Sequence, residues 1–193
     1  MRVVSVRSCG MRWTIHGERS LYDSDWVRLT LVDVELPSGS RFEHHVIRMP
    51  AAAAGVVVQD PGHDGALLLW RHRFTTDSWG WEIPAGRIDV GESPEQAGRR
   101  ETLEESGWRP GPLRHLTTYF PHNGTSDATF HLFAADTAEL VGEPHDTDEA
   151  ERVEWVPWPD IVAAMRAGMI GDGLSLTALL WVLAAEPWED GGP

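Results

Sequence analysis

Glu101, Glu104 and Glu105 carry the most chemistry that can be read from this chain. They stand at i, i+3 and i+4 within WEIPAGRIDVGESPEQAGRRETLEESGW, residues 81–108. On a helix that spacing stacks three carboxylates on one face. The anions repel one another, two of them fall near the C-terminal end where the macrodipole disfavours negative charge, and Arg99 and Arg100 offset only part of this. A divalent cation would supply the missing positive charge. All-oxygen ligation points to a hard ion, Mg2+ or Mn2+, rather than zinc. Taken alone, such a run is more simply a solvated acidic helix face, so its surroundings decide.

The surroundings are patterned. Gly86, five residues, Glu92, seven residues, Arg100-Glu101, two residues, Glu104-Glu105, one residue and Gly107 form a single spaced motif. This resembles the Nudix box, the loop–helix–loop signature of the Nudix hydrolases, with every fixed position present. Thr102 stands where the family prefers a bulky aliphatic, and Leu103 beside it is the expected substitute. Gly98 sits inside the predicted helix, where it costs about 1 kcal/mol relative to Ala.

The resemblance implies an α/β (α+β) fold, a mixed sheet sandwiched between helices, plus an N-terminal β-hairpin subdomain. It also implies hydrolysis of a nucleoside diphosphate linked to another group, with Mg2+ (Mn2+ substituting) as cofactor. Carried over, Glu101, Glu104 and Glu105 become metal ligands together with the backbone carbonyl of Ala85, while Glu92 and Arg100 orient the loop and helix. The rest of the chain resembles the branch that cleaves ADP-ribose and nucleoside-diphosphate sugars. That branch has a dimerising N-terminal β subdomain and a Pro- and Gly-containing loop, here Tyr119–Asp127. The loop departs from the usual form in Ala128 and in an inserted-looking His122-Asn123. In this branch the base that activates water lies on a late loop; Glu151 matches that position best and Glu149 comes second. Trp26 and Phe42 are the expected base stackers, and Arg48 and Arg73 the expected phosphate contacts. The implied reaction yields a nucleoside monophosphate and a sugar phosphate. The alternatives are a nucleoside-triphosphate pyrophosphatase and a non-catalytic Nudix sensor that binds a nucleotide sugar.

The elements needed to position these groups are legible in outline. Ser93 is an N-cap with Pro94 at the first helical position and Gln96 completing a capping box, and Gly107 should end the helix. Further helices are predicted from about Asp160 to Gly168, with Ile161, Val162 and Met165 inward, and from Ser175, with Leu176, Leu179, Leu180 and Leu183 inward. Trp26–Leu36 and Arg41–Arg48 read as a hairpin about Pro37-Ser38-Gly39-Ser40. Strands are predicted at 55–58, 66–70, 81–83, 113–120, 129–135 and 152–156. Residues 1–50 are therefore expected to form a β subdomain, and the resemblance implies that 51–186 form the hydrolase domain, with 187–193 as a tail.

Composition narrows the partners. The 193 residues hold 30 acidic and 16 basic side chains, a formal charge of −14. That disfavours a general nucleic-acid binder or a protein drawn to anionic membranes. Cys9 is the only cysteine, which excludes an intramolecular disulfide and a Cys-based zinc site. No signal-peptide core or spanning stretch is present, so a cytoplasmic location is expected, with a small-molecule substrate and a homodimeric state. Of the ten tryptophans, Trp79, Trp81, Trp155, Trp158 and Trp181 are read as packing.

Overall fold

The computed structural model describes residues 11–60, 62–144 and 149–185. Cys9 and the tail 187–193 lie outside them. The described residues divide into two units: those up to Pro50 with His122–Ala128, and Ala51–Pro121 with Thr129 onward.

The first unit is an antiparallel sheet of β1 (Thr14–Asp23), β2 (Arg28–Glu35) and β3 (Arg41–Arg48), in that order. The expected hairpin is β2–β3, in register from Glu35 opposite Arg41 to Arg28 opposite Arg48. Strand β1 was not foreseen. Its sequence TIHGERSLYD has no apolar alternation, every residue is exposed, and the strand is held by its pairing to β2 through two bulges. Segment His122–Ala128 bonds to the end of β3: the Ile47 N–H donates to the Thr125 carbonyl at 2.8 Å, and the Met49 N–H to the Asp127 carboxylate at 2.8 Å.

The second unit holds, in chain order, β4 (Ala53–Asp60), β5 (Gly65–Arg73), β6 (Ser78–Glu82), β7 (Ala85–Arg87), α1 (Pro94–Ser106), β8 (Trp108–Pro110), β9 (Leu113–Tyr119), β10 (Phe130–Ala135), β11 (Ala138–Leu140), β12 (Arg152–Pro157), α2 (Trp158–Arg166) and α3 (Gly173–Ala185). The sheet runs β12-β5-β4-β10-β9, with only β4 and β10 parallel. Strands β4 and β5 pair only at their hairpin end, Gln59–Ala66 and Asp60–Gly65. Beyond that point they diverge, β6 pairing with the free edge of β5 and β7 with that of β4. This split carries Ala85 and Gly86 to the helix α1.

Both faces of the sheet are covered, which explains the continuous apolar runs GVVV and ALLL. Val56, Val58 and Leu67 pack with Ala97 of α1 on one side. Val57, Leu68 and Ile83 pack with Ile161 of α2 and Leu174, Ala178 and Leu179 of α3 on the other. The result is the expected mixed-sheet α/β/α sandwich. Helix α3 is rotated from the predicted face: Leu174, Ala178, Leu179 and Val182 are buried, whereas Leu180 is half exposed. Buried Ser175 sets that rotation, donating to the Asp172 carboxylate at 2.7 Å and accepting the Ile83 N–H at 3.0 Å. In α2, Ile161 and Ala164 are buried and Met165, partly buried, packs against the same core. The short strands β7, β8 and β11 were missed because three residues hold no readable period.

Candidate active site

Helix α1 begins as predicted. Ser93 Oγ accepts the Gln96 N–H at 3.2 Å, and the Gln96 side chain accepts the Ser93 N–H at 2.8 Å. It ends at Gly107 in the left-handed region, φ 74°. The unfavourable Gly98 has a packing reason, since a Cβ there would stand 2.9 Å from Val56 Cγ2 on β4. Thr102, not Leu103, fills the fully buried position, and its hydroxyl donates to the Gly98 carbonyl at 2.7 Å.

The carboxylates are organised by two arginines. Arg100 Nη1 donates to Glu101 at 2.8 Å and to Glu104 at 3.0 Å, while its other edge forms a bidentate pair with Glu92 at 2.9 and 3.0 Å. A fifth bond, to the Arg87 carbonyl at 2.9 Å, ties the end of β7 to the helix. Glu101 rests against the backbone of Gly86, where a Cβ would lie 2.1 Å from its carboxyl carbon. A side chain at this position would force the carboxylate aside. Burial raises the Glu101 pKa; Arg100 opposes this and the neighbouring charges of Glu104 and Glu149 add to it.

Glu105 is 1% exposed. It accepts from Arg71 Nη2 at 2.7 Å and from the Ala85 N–H at 2.8 Å. Burial nonetheless dominates and pushes its pKa up to about 7. Arg71, 3% exposed on β5, also faces Glu82 at 3.9 Å and Glu149 at 3.7 Å. Sequence reasoning missed both Arg71 and Glu82. The signal was present in β5, where Arg71 shares the inward face of Leu67 and Leu69; an inward arginine needs carboxylates.

Among the described residues, no three His, Cys, Asp or Glu side chains stand in metal-holding geometry. The reason is visible: Arg100 Nη1 occupies the space between Glu101 and Glu104, and Arg71 engages Glu105. A guanidinium shared by two carboxylates marks where positive charge belongs, and the donor set is all oxygen. These residues fit a hard divalent ion.

The other predicted residues are dispersed. The Glu151 backbone N–H donates to the Trp70 carbonyl at 2.9 Å and its residue lines a cleft shared with Glu105, whereas the Glu149 carboxylate is the one that reaches Arg71. Arg73, at the end of β5, forms a bidentate pair with buried Glu82. Trp26, Phe42 and Arg48 belong to the first unit. There Trp26 is 69% exposed, Phe42 meets Trp13 edge-on at 5.9 Å, and Arg48 pairs with Glu18 at 2.8 Å and Asp127 at 3.3 Å. Trp79 and Trp181, read as packing, are half exposed.

The family model for the NUDIX domain matches residues 49–173, which span the carboxylate helix and the whole sheet that positions it. The chain belongs to the Nudix family. As a Nudix hydrolase it is a pyrophosphohydrolase, and enzymes of this family generally use a divalent metal. It is 42% identical over 173 residues to the CMP-5'-(N-acetyl-N-hydroxy-3-aminopropyl)phosphonate hydrolase of Streptomyces rubellomurinus, covering 88% of this chain and 83% of that one. It is 30% identical over 137 residues to the ADP-ribose pyrophosphatase of Bacillus subtilis, covering 71% and 73% respectively. A crystal structure of an ADP compounds hydrolase shares the fold, with TM-score 0.80, 20% identity and coverage of 92% and 96%. No helix among the described residues of this Nudix hydrolase is long and apolar enough to cross a membrane.

Proposed function

We propose that this Nudix hydrolase splits the pyrophosphate bond of ADP-ribose or a related nucleoside-diphosphate sugar, giving a nucleoside monophosphate and a sugar phosphate. The observation that carries the reading is the Glu101–Glu104–Glu105 face, seated on Gly86 and steered by Arg100. Glu101, Glu104, Glu105 and the Ala85 carbonyl are the groups that would hold Mg2+. When bound, the ion polarises phosphoryl oxygens and neutralises charge developing in the transition state.

The chain's own residues do the rest. Glu149, held 3.7 Å from Arg71, takes the proton of the attacking water, with Glu151 as the alternative base on the same loop. Arg73 meets the substrate phosphates, held ready by Glu82. Trp26, Phe42 and Arg48 are the base and phosphate contacts contributed by the sheet β1–β3. Exposed Trp13, Ile15, Leu21 and Tyr22 on and beside β1 support a homodimer built through that sheet. The single cysteine supports a cytoplasmic location.

A second reading is favoured by the 42% identical relative: the group joined to the nucleoside monophosphate is a phosphonate, in the manner of a CMP-phosphonate conjugate. Both readings break one P–O–P bond and free one nucleoside monophosphate. A panel of ADP-ribose, other nucleotide sugars, CMP-linked phosphonates, dinucleotides and nucleoside triphosphates, assayed with Mg2+, separates them. Glu105→Gln is the control. Equal trace activity in both proteins sinks the enzyme reading, and cleavage of triphosphates alone sinks the substrate class.

A further inference from the structure

The catalytic unit carries a cleft whose lining the carboxylate chemistry does not use. It has a volume of about 510 Å³ and lies between the β5–β6 turn, β6 and the segment leading into α3. Its chemistry is mixed in an informative way. Trp79 presents a half-exposed indole, backed by Trp70 at 6.0 Å and 18° and by His72 at 5.3 Å. An indole braced from behind and open in front is a rigid platform rather than core. Beside it the Thr76 and Ser78 hydroxyls meet at 2.7 Å, a polar pair at the rim. Arg73 lines the same cleft with its side chain half open to solvent while buried Glu82 fixes its guanidinium. Asp172 also lines the cleft.

An aromatic face flanked by hydroxyls, a carboxylate and one anchored guanidinium suits a polyhydroxylated ring that carries a phosphate. The apolar face of a sugar ring lies on the indole, its hydroxyls meet oxygen acceptors, and its phosphate meets Arg73. The cleft is also tied to the reacting centre. Glu82, which holds Arg73, lies 3.9 Å from Arg71, and Arg71 holds Glu105 at 2.7 Å. A group seated here therefore hangs from the phosphate end of the substrate, next to the bond that breaks.

We propose that the Trp79–Arg73 cleft binds the sugar-phosphate half of the substrate, with Trp79 as the stacking platform that selects it. This rests on the nucleotide-sugar reading above and assigns a specificity determinant that the carboxylate motif does not contain.

Binding of ribose 5-phosphate to the full chain, by calorimetry without metal, tests the cleft separately from turnover. Trp79→Leu should weaken that binding about tenfold and raise KM for a nucleotide sugar by a similar factor, with kcat within about threefold. Trp79→Phe, which keeps an aromatic face, should restore most of both, and thermal unfolding of each variant verifies that it folds. Unchanged ribose 5-phosphate affinity in a folded Trp79→Leu protein overturns the proposal. Loss of AMP or CMP binding in place of ribose 5-phosphate binding also overturns it, because the cleft would then hold the nucleotide half. If no nucleotide conjugate is cleaved yet ribose 5-phosphate binding depends on Trp79, the hydrolytic reading falls and the cleft assignment stands.

Discussion

Arg71 Nη2 and Glu105 Oε1 meet at 2.7 Å with the two side chains only 3% and 1% exposed. The pair joins strand β5 to helix α1 inside the protein, where neither charge is stable without the other. Arg71→Met should therefore destabilise the metal-free protein by about 3–5 kcal/mol. Arg71→Met/Glu105→Gln should recover most of that loss. Urea denaturation of the wild type, both single variants and the double variant closes the cycle; additive losses would show that the contact carries no coupling.

The raised pKa of Glu105 sets a pH dependence of stability. Its folded value of about 7 lies above the ordinary 4.5, so the folded state binds the extra proton between those values. Metal-free stability should fall as pH rises from about 4.5 to 7, by up to about 3 kcal/mol from this group alone. Glu18, Asp33, Glu43 and Glu92 are shifted downward by their arginines and act at more acidic pH, where protonating them removes stability. His131, shifted down by burial, opposes the Glu105 trend just below its ordinary 6.5. The difference between wild type and Glu105→Gln isolates the effect: the variant's stability should be flatter over this window, and parallel curves would contradict it.

Two glycines of the carboxylate segment should fail in different ways. Gly86→Ala drives a methyl into the Glu101 carboxylate, so activity should drop about 100-fold and metal affinity at least tenfold, with little change in unfolding. Gly98→Ala gains helix propensity but presses on Val56, whose Cγ2 lies 2.9 Å from the new Cβ. A net loss of about 1 kcal/mol is expected, with activity retained. Paired kinetic and denaturation measurements distinguish the two.

The late loop offers two glutamates, and geometry ranks them. Glu149→Gln should lower kcat about 100-fold with metal binding intact, because its carboxylate is the one that reaches Arg71. Glu151→Gln should cost less than about tenfold. The reverse order would reassign the base to Glu151, the residue that the family resemblance favours.

The carboxylate helix was legible because everything that defines it is local. Its cap, its end at Gly107 and the i, i+3, i+4 spacing are written within 28 consecutive residues. The hairpin β2–β3 and the buried strands β4 and β5 were readable for the same reason, since turn residues and apolar runs are short-range signals. Strand β1 was not, because its place depends on the backbone edge of β2 rather than on its own side chains. The orientation of α3 was misjudged because all its faces are apolar, and one buried hydroxyl, Ser175, chose among them.

Residue types and spacing alone therefore determined that Glu101, Glu104 and Glu105 share one helix, because a helix converts sequence distance into spatial distance by a fixed rule. Tertiary structure alone decided their electrostatic setting. Arg71 stands 34 residues before Glu105, and no periodicity links them. The splaying of β4 from β5 brings Ala85 and Gly86 under α1, and the inward face of β5 delivers a guanidinium to a buried carboxylate. The same strand ends at Arg73, and β6 beside it turns Trp79 outward. An indole read from the sequence as packing was left half exposed, because burial is a property of what packs around a residue and not of the residue itself.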